Sequence, residues 1–144
     1  MDAYFDSGVL VKLYVLEDNS AEAAHAAAGV PQIPLIPLHE LEIRNALRAL
    51  EGRQLIAVDQ LQGALAAFDN DIDTRRLFRV SASWSEVYAS AEDLSRRHTA
   101  DVLCRALDLL HVASALSLKC VAFVTADRRQ AQLAALAGMA VTEL

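Results

Sequence analysis

Four acidic residues, Asp6, Glu42, Asp108 and Asp127, occupy positions where a carboxylate can take part in chemistry. Asp6 ends the apolar run Ala3-Tyr4-Phe5, and Asp127 comes shortly after Val121-Ala122-Phe123-Val124. Both runs read as short strands, and open α/β sheets keep their ligand sites at the carboxyl ends of parallel strands. Asp108 stands in the first turn of an apolar helix, where free N–H groups favour an anion. Glu42 falls on the inward arc of a helix from Leu38 to about Leu50, about 40° from Leu38 at about 100° per residue. Four carboxylates brought together cannot all stay ionised in a dry site, because like charges raise one another's pKa. Magnesium or manganese resolves the conflict, since both take hard oxygen ligands and keep waters for a substrate phosphate. No His/Cys ligand set points to zinc. Such a site suits phosphodiester hydrolysis, in which a metal-bound water is activated and the leaving oxygen stabilised.

Each acid also has a bland reading. Asp6 alone fits a turn or cap, and Glu42 fits a buried ion pair with an arginine such as Arg105, because a carboxylate facing a core must be paired or bind a cation. Glu40 points to solvent as a surface charge, and Asp69, Asp71 and Asp73 read as a solvated helix end. His111 reads as a satisfied core histidine, His39 as the partner in a local hydrogen bond, and His25 and His98 as surface residues.

The elements that must carry these residues follow from periodicity. From Ala106 to Leu118 the chain is apolar round nearly the whole wheel, which belongs in an interior. Asp108, His111, Ser114 and Ser117 recur every third residue and form one narrow polar stripe. Other helices are expected from Gly8 to about Leu16 with Ser7 as its cap, from Ser20 to Gly29, from Asp59 to about Asp71, and from Asp127 to about Leu136 with Gly138 as its stop. Trp84, Val87, Tyr88, Ala91 and Leu94 mark the core stripe of another, closed by Arg96-Arg97-His98. Proline-interrupted Ile33-Pro34-Leu35-Ile36-Pro37 suits a strand at or near a sheet edge. Leu77-Phe78-Val80 and Met139-Ala140-Val141 are further strands, while Leu55 to Val58 fits strand or loop. Short apolar strands alternating with helices imply an α/β fold with a parallel sheet covered on both faces. No repeat or linker interrupts residues 1–144, so a single domain is expected.

Composition narrows the partners. The 144 residues are 54% hydrophobic, enough for a core without disulfide or metal staples. Cys104 and Cys120 lack ligand spacing and read as buried small hydrophobes. No run approaches the roughly 20 apolar residues of a membrane span, and no basic, apolar leader opens the chain, so a cytoplasmic protein is expected. With 13 basic and 19 acidic residues the formal charge is −6, the wrong sign for a broad polyanion-binding surface. A nucleic-acid ligand therefore needs a divalent cation to supply local positive charge, with Arg105, Arg128 and Arg129 as candidate phosphate contacts.

The strings YFDSGVLVKLY, HELEIRNAL, RALDLLHVASAL and FVTADRRQ resemble the four signature regions of PIN-domain ribonucleases, specifically the VapC-type toxins of toxin–antitoxin pairs. The resemblance spans nearly the whole chain, with four motifs in order. It implies a PIN-like fold with a central parallel five-stranded sheet flanked by helices on both faces, Mg- or Mn-dependent endoribonuclease activity, a cognate VapB-type antitoxin, a homodimer and a higher-order toxin–antitoxin complex. Carried over position by position, the metal-site and catalytic acids are Asp6, Glu42, Asp108 and Asp127, supported by the hydroxyls of Ser7 and Thr125. Gly8, Lys119 and Ala126 depart from the usual pattern of Ser or Ala, Gly and an aromatic, without touching a carboxylate. Single-stranded or loop RNA is the expected substrate, since bases must be splayed out to be read. The alanine-rich amino-terminal helices suit a groove for an antitoxin helix. Two other classes stand beside this one. A receiver-type signalling domain would need paired acids after the first strand and a lysine after the last, and has neither here. A catalytically inert PIN-like interaction module would bind its partner without taking up metal.

Overall fold

A computed structural model describes all residues 1–144. In chain order the elements are β1 (Ala3–Phe5), α1 (Ser7–Val11), α2 (Ser20–Ala28), β2 (Ile33–Leu35), α3 (Pro37–Gly52), α4 (Val58–Asp73), β3 (Leu77–Arg79), α5 (Trp84–Val102), α6 (Ala106–Ser117), β4 (Ala122–Thr125), α7 (Arg128–Leu136) and β5 (Ala140–Glu143). The contacts divide them into two compact units, one of residues 1–6 and 81–144, the other of residues 7–80.

The first unit is built on a parallel sheet in the order β1-β4-β5. Ala3 pairs with Ala122 and Phe5 with Val124, while Val124 pairs in turn with Thr142. Tyr4, Phe5, Phe123 and Val124 are all buried. Neighbours in a strand point to opposite faces, so the inner strands are covered on both sides, as their unbroken apolar runs require. Tyr4 stacks on Phe123 with ring centroids 5.3 Å apart. β5 is the exposed edge. Helix α6 buries Leu109, His111, Val112, Ala113, Ser114 and Ala115, matching its nearly continuous apolar wheel. α5 runs on past Arg96-Arg97-His98 to Val102 and ends where Leu103 turns left-handed at φ 58°. Its stripe is narrower than its spacing suggests: Val87, Ala91 and Leu94 are buried, whereas Tyr88 is 57% exposed. Position 88 lies one residue, about 100°, past Val87 and so falls off the edge of the stripe. His98 is half-buried, with Nε2 enclosed and lacking a hydrogen-bond partner, and is not the surface residue expected.

The second unit holds a two-stranded parallel ladder, β2-β3, with Ile33 opposite Leu77 and Leu35 opposite Arg79. All five expected strands therefore form and all pair in parallel, but their hydrogen bonds group them as three and two instead of one five-stranded ladder. Pro34 gives the reason on the β2 side. Ile33 N–H donates to Arg76 O and Leu35 O accepts from Val80 N–H, so alternate residue Pro34 turns to the outer edge of the ladder, where it has no N–H to offer. α1 is a single short helix, and turns rather than helix carry the chain through Leu13 and Tyr14. Leu55 to Ala57 is turn and loop, and Val58 already belongs to α4.

Two surface assignments from the sequence are corrected here. Glu40 is the hub of an ionic network: its carboxylate accepts Arg79 Nε at 3.0 Å, Arg79 Nη2 at 2.9 Å and Arg44 Nη1 at 3.1 Å. Arg44 also donates to Asp69 at 2.8 Å and stacks over the Phe68 ring at 5.2 Å. Asp71, expected in solvent, accepts the Tyr14 hydroxyl at 2.6 Å. Burial, then the hydrogen bond to the Asp71 carboxylate, push the Tyr14 phenol well above its ordinary range. Partners 39 and 57 residues away in sequence left no local signal for either contact.

Candidate functional site

Asp6 and Asp127 lie at the carboxyl ends of neighbouring parallel strands. The Asp6 N–H donates to Val124 O at 2.9 Å, carrying the β1-β4 ladder one residue past β1 and fixing the backbone from which its carboxylate projects. Asp127 is the N-cap of α7: its Oδ1 accepts the N–H groups of Arg129 at 2.9 Å and Gln130 at 3.1 Å. An aspartate at a cap satisfies donors that the helix itself cannot, and it sits where the helix dipole favours negative charge. Asp108 stands in the first turn of α6 and reaches back to its N-cap residue, its Oδ2 accepting the Arg105 N–H at 2.9 Å.

The remaining oxygens are the chemically informative ones. Asp108 Oδ1 and Asp127 Oδ2 accept no hydrogen bond from the protein. The Arg105 guanidinium reaches toward both acids, Nε standing 4.0 Å from Asp108 and Nη2 4.0 Å from Asp127. These separations exceed hydrogen-bond length, so Arg105 acts there as a positive charge and not as a directional donor. It is 77% exposed, and Arg128 and Arg129 are exposed at the start of α7.

A second layer of polar groups underlies Asp6. Thr125 Oγ1 accepts the Asp127 N–H at 3.0 Å and donates to Gln130 Oε1 at 2.6 Å. Gln130 Nε2 donates to Asp6 Oδ1 at 3.2 Å. From α6, His111 places Nδ1 2.7 Å from the Tyr4 hydroxyl and Nε2 4.0 Å from Asp6 Oδ1. His111 is thus a core histidine with a partner, as its place in the polar stripe suggested. Gln130 escaped the sequence reading altogether. The signal that could have found it is the α7 wheel, on which position 130 shares a face with Leu133 and Ala134.

Glu42 belongs to the other unit, on α3, at the rim of the buried stripe of His39, Ile43 and Leu47. Its Oε1 accepts the Ser7 hydroxyl at 3.0 Å. Ser7 is therefore a donor to Glu42 within α1, where a helix cap was expected. His39 Nδ1 accepts the Ile36 N–H at 3.1 Å, the local bond expected of it.

The structure thus draws Asp6, Asp108 and Asp127 into one network of caps and shared cationic or amide contacts, and pairs Ser7 with Glu42 separately. The donors are all hard oxygens, which suit magnesium or manganese and not zinc. No three His, Cys, Asp or Glu side chains are gathered closely enough to hold an ion between them unaided. An open set of this kind fits a cation that keeps several of its own waters, as magnesium does.

Residues 3–136 match the family model for the PIN domain. Among solved structures, VapBC2 from Rickettsia felis bound to a DNA fragment from their promoter is similar at a TM-score of 0.68 and 14% identity, over 100% of this chain and 99% of that one. FitAcB from Neisseria gonorrhoeae is similar at 0.69 and 14%, over 98% and 96%. PAE2754 from Pyrobaculum aerophilum is similar at 0.56 and 15%, over 98% and 89%. Comparison with curated proteins yields no match.

Proposed function

Because the chain belongs to the PIN-domain family, we propose that it is a metal-dependent endoribonuclease, the VapC-type toxin of a toxin–antitoxin pair, acting as a single domain over residues 1–144. The observation that carries this reading is the pair of carboxylate oxygens on Asp108 and Asp127 without protein donors, both acids facing the Arg105 guanidinium and Asp127 tied to Asp6 through Gln130. Asp6, Asp108 and Asp127 are the proposed ligands for magnesium or manganese, with Glu42 as the fourth by its place in the family motif. A divalent ion held by them supplies Lewis acidity toward the phosphate and an activated water. Ser7 orients Glu42 by donating its hydroxyl to the carboxylate, and Thr125 supports Asp127 by accepting its backbone N–H. Arg128 and Arg129, exposed beside Asp127, are placed to meet substrate phosphates, and Arg105 can turn from the acids to the RNA strand. The likeness in fold to VapBC2 and FitAcB supports a cognate antitoxin partner, while a homodimer within a larger complex is part of the proposal by the family resemblance alone.

One observation favours a second reading, an inert interaction module: the acids are not gathered into a closed ligand shell. The two readings separate when the purified protein meets a mixed RNA pool with magnesium, with manganese and with EDTA. The nuclease reading expects cutting in either metal and none in EDTA. Intact RNA throughout, with no uptake of metal by the protein, favours the inert module.

A further inference from the structure

Gln130 is the one polar side chain of α7 that is fully enclosed, at 1% exposure. We propose that it is a positioning residue that sets the Asp6 carboxylate for a divalent cation, an inference resting on the metal-dependent reading of this site. The donors and acceptors around it can be assigned in one direction only. The Thr125 hydroxyl accepts the Asp127 N–H at 3.0 Å, and its single proton goes to Gln130 Oε1 at 2.6 Å. The Asp6 carboxylate can only accept, so the amide atom 3.2 Å from its Oδ1 must be Nε2, which leaves Oε1 to take the Thr125 proton and keeps the amide from flipping.

The same residue reaches a second acid, for its backbone N–H donates to Asp127 Oδ1 at 3.1 Å. Gln130 therefore ties the carboxylates at the ends of two strands to one rigid point on α7. A lysine or arginine could hold Asp6 as firmly, but its charge would compete with the cation. An amide donates without adding charge. Because Gln130 and Thr125 are both enclosed, water does not compete for the bond between them, which anchors the amide. Partners that hold a metal ligand from behind commonly change metal affinity by about 10- to 100-fold when lost.

The test is Mn2+ titration calorimetry on the full chain, comparing wild type with Gln130→Leu and Gln130→Met. Both variants keep the volume of the side chain and remove the amide, and the expected result is binding weaker by about tenfold or more. A folded variant that binds Mn2+ as tightly as wild type overturns the proposal. Should neither variant fold, wild-type 15N NMR decides it: the Gln130 side-chain NH2 signals should shift as Mg2+ saturates the protein. Their staying put while the Asp6 or Asp108 backbone signals move overturns the proposal and leaves the metal site standing. A wild type that neither binds Mn2+ nor shows any shift overturns the metal reading itself, and with it this inference.

Discussion

At the scale of single residues, position and reactivity part company, and the two cysteines show how. Both Cys104 and Cys120 are buried and unpaired by any disulfide, as their lack of ligand spacing suggested. Burial pushes the Cys120 thiol up to about 11. The thiolate is the reactive form, so near pH 8 Cys120 should carry about a hundredfold less of it than a thiol titrating near 9. Native protein treated with a thiol reagent at pH 8 should therefore leave Cys120 unlabelled on a timescale that labels it in denaturant. Prompt native labelling at Cys120 would contradict the packing described. The acids were legible for a different reason. Asp6, Asp108 and Asp127 each follow or open an element whose type the local pattern reveals, so their placement came with the element. Gln130 was not, because its role depends on Thr125 and Asp6, and Asp6 is 124 residues away. Glu40 was misplaced in solvent for the same reason, since Arg79 comes to it only through the fold.

At the scale of elements, the reading succeeded where a run is strongly patterned and failed at ends. α6 and the β4 strand lie where their apolar runs placed them, and α7 begins immediately after its Asp127 cap. α1 is shorter and α5 longer than expected, since caps are weak signals beside tertiary packing. Of the six residues with positive φ, two stand at the turns on either side of β4 and α7. Lys119 takes φ 57° between α6 and β4, at the point where the family pattern usually has glycine. Gly138 takes φ 91° after α7, and a Cβ there would meet nothing within 4 Å. The effect of Gly138→Ala is thus one of backbone conformation and not of collision. It should lower stability by about 1–2 kcal/mol in urea denaturation, and an unchanged midpoint would show that this turn tolerates an L side chain.

At the scale of the whole molecule, charge bears on stability and on what the surface can attract. Hydrogen bonds from Arg79 hold the Glu40 carboxyl below its ordinary 4.5, burial opposes them, and Arg44 adds to them. A carboxyl whose folded value is lowered stabilises the fold fully above its unfolded value, and that gain is lost as pH falls through the folded one. Glu40→Gln should therefore lower the urea midpoint at pH 7, and its gap from wild type should narrow as pH falls below about 4.5 and close only below the lowered folded value, where both carry a neutral side chain. A gap independent of pH would place the effect in packing and not in charge. The formal charge of −6 leaves little general attraction for a polyanion, so the proposed cleavage of RNA relies on divalent cations for binding as well as for chemistry. These demands meet at Asp108, whose Oδ1 has no protein donor and whose Oδ2 accepts the N–H of Arg105, the N-cap of α6. Asp108→Asn keeps an oxygen for the cap and removes the negative charge. The decisive measurement is cleavage of a mixed RNA pool by folded wild type and Asp108→Asn in Mg2+ or Mn2+. Cutting by wild type and a fall of at least about 100-fold in the variant are expected of a metal-ligating carboxylate. Equal cutting by both proteins would contradict the assignment of this acidic site.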